Sequence, residues 1–307
     1  MKRLSYFDLQ VNGYAGCDFN GERPVSAEGL HECCRRLSAD GVGGILATFV
    51  TDDVERMAAR MARLAELRQA DRLARRIIVG FHVEGPFLNR RVGYRGAHPA
   101  EHIRRPNLEA MKRLMDAGAG LVRLVTLAPE LDRGLRLTRM LADAGVVASA
   151  GHCDPTLDEL NAAIDAGLSM FTHLGNGCPN RIPRHDNIIQ RVLSLRDRLW
   201  LTFIADGVHV PLPALGNYLR AAGLARTIVV TDAVSPAGLG PGRYRFRQWP
   251  INVGQDLAAR RDDGQLLGSA ITMRLSERKL VDGLGLSEAA AQELLAKNPR
   301  TALGVGL

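Results

Sequence analysis

Short apolar runs rich in β-branched residues recur along the chain, separated by longer stretches with helical spacing. This alternation restricts the fold more than any other feature of the sequence. The runs are Tyr6–Val11, Ile45–Val50, Ile77–Val83, Leu121–Leu127, Val146–Ala150, Met170–His173, Leu201–Ala205 and Thr227–Thr231. Between them, Asp53–Ala74, Asn107–Ala117, Leu157–Ala166 and Pro213–Ala222 carry apolar residues at helical intervals, and Gly118, Gly145, Gly167 and Gly223 stand where helices should end. Strand, helix, strand in succession builds a parallel sheet with helical crossovers. About eight such runs match the strand number of a (β/α)8 TIM-like barrel. A doubly wound open sheet is the competing architecture, but no Gly-x-Gly-x-x-Gly fingerprint follows the first run, which counts against a dinucleotide-binding version.

The pattern changes after Asp232. Pro236 to Gly242 is a Gly/Pro-rich loop, and Tyr244–Val253 and Asp256–Leu267 read as short strands with turns at Val253-Gly254 and Asp263-Gly264. Two helices are expected beyond, near Ile271–Gly283 and Ser287–Ala296. The chain therefore divides into a barrel, residues 1–239 and 269–307, and a small accessory β segment, residues 240–268.

With 307 residues and 46% apolar content the chain buries a core without staples. The formal charge of +7 comes from arginines scattered along the sequence rather than massed in a tract. It suits anionic small molecules or a solvated surface, and no nucleic-acid-binding module is legible. Cys17, Cys33, Cys34, Cys153 and Cys178 form no Cys-x-x-Cys pair and are odd in number, so a reducing cytoplasm is expected rather than a disulfide framework. Neither a signal-peptide layout nor a long apolar run occurs, and no membrane span is expected.

Polar residues fall at the ends of the apolar runs, where a barrel keeps its chemistry: His82 and Glu84 at the third, His152 at the fifth, His173 at the sixth, Asp206 and His209 at the seventh, Asp232 at the eighth. One carboxylate and two imidazoles on neighbouring strand ends can supply the three ligands of a catalytic zinc and leave a fourth position for water, whose pKa such a metal lowers. Taken singly, each residue has a plainer use. A histidine after a strand is often scaffold, Glu84 before Gly85-Pro86 can close a turn, and Asp232 can cap a helix. Five of them at successive strand ends make that account strained.

The sequence resembles the N-acetylglucosamine-6-phosphate deacetylases of the amidohydrolase superfamily. The matching stretches are His82-Val83-Glu84-Gly85-Pro86-Phe87 with Arg95-Gly96-Ala97-His98, then Gly151-His152, Thr172-His173-Leu174 with Asn176, Ile204-Ala205-Asp206-Gly207-Val208-His209, Val230-Thr231-Asp232-Ala233, Gly268-Ser269-Ala270 with Thr272-Met273, and Asn298-Pro299. They run in order over nearly the whole chain. The resemblance implies that Glu84, His152 and His173 bind one divalent metal ion, Zn²⁺ before Fe²⁺, Mn²⁺ or Co²⁺. It implies that Asp232 takes a proton from the attacking water and delivers it to the leaving amine. His98 would contact sugar hydroxyls, and Ala97 would lend a backbone contact. Asn176 and Gly177 would grip the phosphate with His209 nearby, and Arg184 would reach a phosphate across a homodimer interface. The implied substrate is an amino-sugar phosphate.

Three stretches depart from the family pattern. Gln10 and Asn12 stand where many amidohydrolases carry His-x-His, so one metal is expected rather than two. The chain begins almost directly at the first barrel strand, so the accessory sheet, built from the 240–268 region alone, should be reduced. The loop from Gly175 to Asn187 is more polar than the family's and adds His185, which leaves open another N-acyl sugar or amide as substrate, or a barrel that binds sugar phosphate without catalysis. Cys178 in that loop has no base beside it in sequence and reads as structural.

Overall fold

A computed structural model describes residues 3–306. Eight parallel strands follow one another around a sheet in sequence order. They are β1 (Tyr6–Val11), β2 (Val42–Val50), β3 (Ile78–Glu84), β4 (Val122–Leu127), β5 (Val147–Ala150), β6 (Leu168–Phe171), β7 (Trp200–Ile204) and β8 (Thr227–Val230). The barrel expected from the alternation is the fold observed. Each strand is followed by helix before the next begins: Ala27–Ala39, Val54–Ala70 with Arg72–Ile77, Leu108–Ala117, Arg136–Asp143, Leu157–Asp165, Ile188–Ser194 and Leu212–Ala222. Asp53, Asp71, Asn107, Thr156 and Asn187 cap these helices through their side chains. The stretch read as one helix over Asp53–Ala74 breaks at Asp71, whose backbone amide closes the first helix and whose carboxylate caps the second.

All six residues of β1 are buried, as expected of a strand covered on both faces. Phe7, Leu9, Leu46, Leu124, Met170, Ile204, Ile228 and Val230 pack inside the barrel. The larger cluster, with Phe49 and Phe81 edge to face at 5.1 Å, lies between the strands and the surrounding helices. Asn298 donates to the carbonyls of Leu224 and Thr227 at 2.8 and 2.7 Å. Arg300 donates to Ser5 O at 2.9 Å, so the C-terminal segment holds the foot of the barrel while the opposite mouth stays open.

The seam between β1 and β8 is closed by a Val11–Ala233 bridge and by Asp8. Its carboxylate accepts from the Thr231 hydroxyl at 2.6 Å and from the amides of Gln10 and Thr231 at 3.2 and 3.3 Å. Burial pushes its pKa up to about 7, with the nearby Asp232 adding to the rise against the hydrogen bonds. A carboxyl held above its unfolded value of about 3.9 binds its proton more tightly when folded. Its stabilising contribution is therefore complete below about pH 4 and is lost as the pH climbs towards 7. Asp8→Asn should consequently gain stability relative to the native chain by on the order of 4 kcal/mol between pH 4 and pH 8, read from urea midpoints in the presence of chelator. A constant difference across that window would contradict a neutral Asp8.

Between β8 and the final helices a four-stranded antiparallel sheet is inserted: β9 (Gly242–Phe246), β10 (Trp249–Val253), β11 (Ala258–Arg260) and β12 (Leu266–Ser269). Its core is Val234, Phe246, Ile251, Val253, Ala259, Leu267 and Ala270. The turns at Val253-Gly254 and Asp263-Gly264 fall where expected. A further one at Arg247-Gln248 lies inside the run read as continuous, because Arg247 adopts φ 54° with no glycine to announce it.

Candidate functional site

Glu84 is the last residue of β3, and His152, His173, Asp206 and Asp232 each stand two residues beyond the end of β5, β6, β7 and β8. Three of them have left-handed backbones, His152 at φ 51°, His173 at 34° and Asp232 at 51°. Side chains other than glycine rarely adopt this region, and residues that do so cluster at functional sites. Each turns over the barrel mouth. A cavity of about 520 Å³ there is lined by Glu84, His152, His173 and Asp232, and by Ala97, His98, Asn176, Gly177 and His209. Of the residues to which the family resemblance gives a role, Arg184 alone does not line it; its side chain is exposed.

Three imidazoles surround Glu84. His173 Nε2 lies 2.9 Å and His152 Nε2 3.1 Å from Glu84 Oε1, and His98 Nε2 lies 3.9 Å from it. Glu84, His98 and His152 form a group of potential metal donors whose ligand atoms all lie within 4.8 Å of one another; His173 is closer to Glu84 than His98 is. His98 Nδ1 is tied to Thr51 Oγ1 at 2.8 Å. His152 Nδ1 donates to the carbonyl of Tyr94 at 2.8 Å, a partner that can only accept. With Nδ1 engaged as a donor, Nε2 faces the Glu84 carboxylate oxygen, an arrangement that a cation shared between the two would bridge. The 2.9 and 3.1 Å separations approach the edge of roughly 3.3 Å of a tetrahedron about zinc. The donor set thus fits a divalent ion.

The electrostatics agree. Burial opposes ionisation of Glu84, yet the imidazoles of His152 and His173 hold its pKa well below the ordinary carboxylate range. Burial likewise opposes charge on His173, but Glu84 and Asp232 pull its pKa up. The set therefore favours positive charge between its members. His98 is pushed the other way, well below the usual histidine value, by burial and by the neighbouring His152.

Asp232 faces this cluster from across the cavity. Its Oδ1 accepts from Asn12 Nδ2 at 2.7 Å and from Gln10 Nε2 at 3.1 Å, and the same Gln10 nitrogen donates to Glu84 Oε2 at 3.2 Å. Read from sequence only as absent metal ligands, Gln10 and Asn12 serve to orient both carboxylates. Burial, reinforced by Glu84, pushes the Asp232 pKa up to about 6 against the pull of His173, His209 and Asn12. That value suits a general base or acid near neutral pH. Asp206 accepts from His209 Nδ1 at 2.6 Å and from the amides of Val208 and His209, and so presents the other nitrogen of His209 to the cavity.

Other supports are set by the tertiary packing. The Tyr94 carbonyl acts as backbone, and its position is set by the Tyr94 hydroxyl on Asp154 at 2.6 Å. Gly177, at φ 62°, lies so near His152 that a Cβ would come within 2.9 Å of its Nδ1. Under the mouth, His82, Thr126, Thr172 and Ser149 form a buried chain of contacts at 2.8, 2.7 and 2.7 Å that braces the strand ends carrying Glu84, His152 and His173. Burial pushes the Cys178 thiol up, away from thiolate chemistry.

A parallel barrel whose open mouth gathers a carboxylate, facing imidazoles and a second buried carboxylate has the fold and site of an amidohydrolase. No family model matches the chain. It is 31% identical over 97% of its length to N-acetylglucosamine-6-phosphate deacetylase of Bacillus subtilis, covering 74% of that protein. It is 32% identical over 96% of its length to N-acetylgalactosamine-6-phosphate deacetylase of Shewanella sp., covering 72%. An N-acetyl-D-glucosamine-6-phosphate deacetylase of Mycobacterium smegmatis, solved as an aspartate-to-alanine mutant in complex with N-acetyl-D-glucosamine-6-phosphate, superposes with a TM-score of 0.87 at 31% identity, over 99% of this chain and 78% of that one. The chain belongs to the N-acetylglucosamine-6-phosphate deacetylase family.

Proposed function

We propose that the protein hydrolyses the acetamide of N-acetylglucosamine 6-phosphate to glucosamine 6-phosphate and acetate. The observation that carries this reading is the single Gln10 nitrogen that ties Glu84, ringed by imidazoles, to Asp232 across one cavity. Glu84, His152 and His173 hold one divalent ion per subunit, Zn²⁺ before Fe²⁺, Mn²⁺ or Co²⁺. When bound, it polarises the acetyl carbonyl and acidifies water. Asp232 removes the proton from the attacking water and passes it to the departing nitrogen. His98 and Ala97 face the sugar, and Asn176, Gly177 and His209 lie towards the phosphate. In this reading residues 1–239 and 269–307 form the hydrolytic barrel and residues 240–268 an accessory β segment.

Arg184, exposed and outside its own cavity, reaches the phosphate of a partner's substrate in a homodimer, where a guanidinium makes paired charge-assisted hydrogen bonds. The five free cysteines fit the cytoplasm. Among the described residues no helix is long and apolar enough to cross a membrane.

The test is acetate release from N-acetylglucosamine 6-phosphate, its galacto epimer and the unphosphorylated sugars, at defined metal loading. Both phosphorylated epimers belong in the screen, because relatives named for each match the chain at similar identity. Arg184→Ala should raise KM for the phosphorylated substrate about a hundredfold while leaving activity on the free sugar unchanged. No acetate from any amino-sugar phosphate would end the deacetylase reading.

A further inference from the structure

We infer that the inserted β9–β12 sheet positions the substrate-facing loop Gly93–His98, and that Arg247 is the residue through which it does so; this rests on the function proposed above. Arg247 forms the turn between β9 and β10 in a left-handed conformation, φ 54°, that glycine would adopt freely. The side chain retained there is only 6% exposed. Its amide donates to Asp18 Oδ2 at 2.7 Å, and its guanidinium donates to Asp52 Oδ2 at 2.8 Å and to the carbonyl of Thr51 at 3.3 Å.

Neutralising Asp52 does not account for this placement. Asp52 is already paired with Arg56 at 2.6 Å and Arg60 at 2.7 Å. What Arg247 adds is a grip on both residues that anchor the loop. Thr51 Oγ1 holds His98 Nδ1 at 2.8 Å, and Arg56, paired with Asp52 Oδ1 at 2.6 Å, donates to His102 Nε2, further along the same segment, at 2.9 Å. A second turn of the sheet reaches the loop independently, where Gln265 Nε2 donates to the carbonyl of Gly96 at 3.2 Å. Phe246, Arg247, Trp249 and Gln265 line the same cavity as Ala97 and His98. The sheet is thereby wall and clamp at once, and Arg247 is a positioning residue that acts through Thr51 and Asp52.

The experiment uses the metal-loaded full chain and compares native protein with Arg247→Met, Arg247→Lys and Gln265→Ala. Amide hydrogen exchange over residues 93–98 is read beside metal content and the kinetics of N-acetylglucosamine 6-phosphate hydrolysis. In Arg247→Met, exchange should quicken by about tenfold, KM should rise by about tenfold and kcat should move by less than about threefold, at unchanged metal content. Arg247→Lys should recover part of the loss, since an ammonium can reach Asp52 but cannot span Asp52 and Thr51 together. Gln265 is exposed, so Gln265→Ala folds in any case and should loosen Gly96–Ala97 with a smaller rise in KM. Native exchange in Gln265→Ala and in whichever Arg247 variant folds would overturn the proposal, as would faster exchange with no change in KM. If the native protein releases no acetate, the deacetylase reading falls, while the exchange data still decide whether the sheet holds the loop.

Discussion

Glu84→Gln is expected to abolish retention of the divalent ion and to lower kcat/KM by at least about 10⁴-fold. The substitution keeps shape and volume, so the barrel should melt near its native temperature. What it removes is the anionic oxygen on which His152 and His173 converge at 3.1 and 2.9 Å. An uncharged amide presents either a weaker acceptor or an N–H donor to that point, and neither draws a dication from water. Metal content by elemental analysis, with activity on the same preparation, checks this. The companion variants His173→Ala and His98→Ala separate the two donor sets that the geometry offers. Nε2 of His98 stands 3.9 Å from the same oxygen, and its ring is committed to Thr51, so His98→Ala should keep the ion while His173→Ala should lose it. Retention of about one ion by His173→Ala, with loss in His98→Ala, would transfer the ligand role from His173 to His98.

For Asp232→Asn the expected result is different: kcat falls by about 10³- to 10⁴-fold while metal content and KM stay close to native. An amide cannot take a proton from water, but it can still accept the hydrogen bonds of Asn12 and Gln10 at 2.7 and 3.1 Å, so the cavity should keep its form. The KM-against-kcat split distinguishes this role from a binding one, because a residue needed only for substrate binding would raise KM with kcat preserved. Residual kcat within tenfold of native would mean that another group moves the proton. A drop in bound metal would mean that Asp232 is a ligand rather than a base.

Much of the architecture is legible in the sequence, for a local reason. A strand buried on both faces is largely apolar, as Tyr6–Val11 is apart from Asp8 and Gln10, and the residue that leaves the strand at the barrel mouth can afford to be polar. Glu84, His152, His173 and Asp232 therefore stood out by position alone. Boundaries were less legible. The stretch Asp53–Ala74 keeps a helical pattern through Asp71, and only in the fold does that carboxylate cap the second helix. Arg247 bends the chain between β9 and β10 without glycine, because the left-handed turn is stabilised by Asp18, Asp52 and Thr51, residues 195 to 229 positions away in the chain.

The assembly of the site divides in the same way. Sequence by itself determined the barrel, the strand ends at which chemistry is placed and the residue types available there, because the periodicity of burial and the kinds of donor are properties of short segments. Only the tertiary structure decided that Gln10 and Asn12 orient carboxylates, that a backbone carbonyl at Tyr94 fixes His152, that His173 stands nearer Glu84 than His98 does, and that the inserted sheet clamps the loop carrying His98. These are contacts between groups remote in the chain, some of them backbone atoms that every residue carries, and their identity is fixed only when strands from opposite sides of the barrel close on one axis.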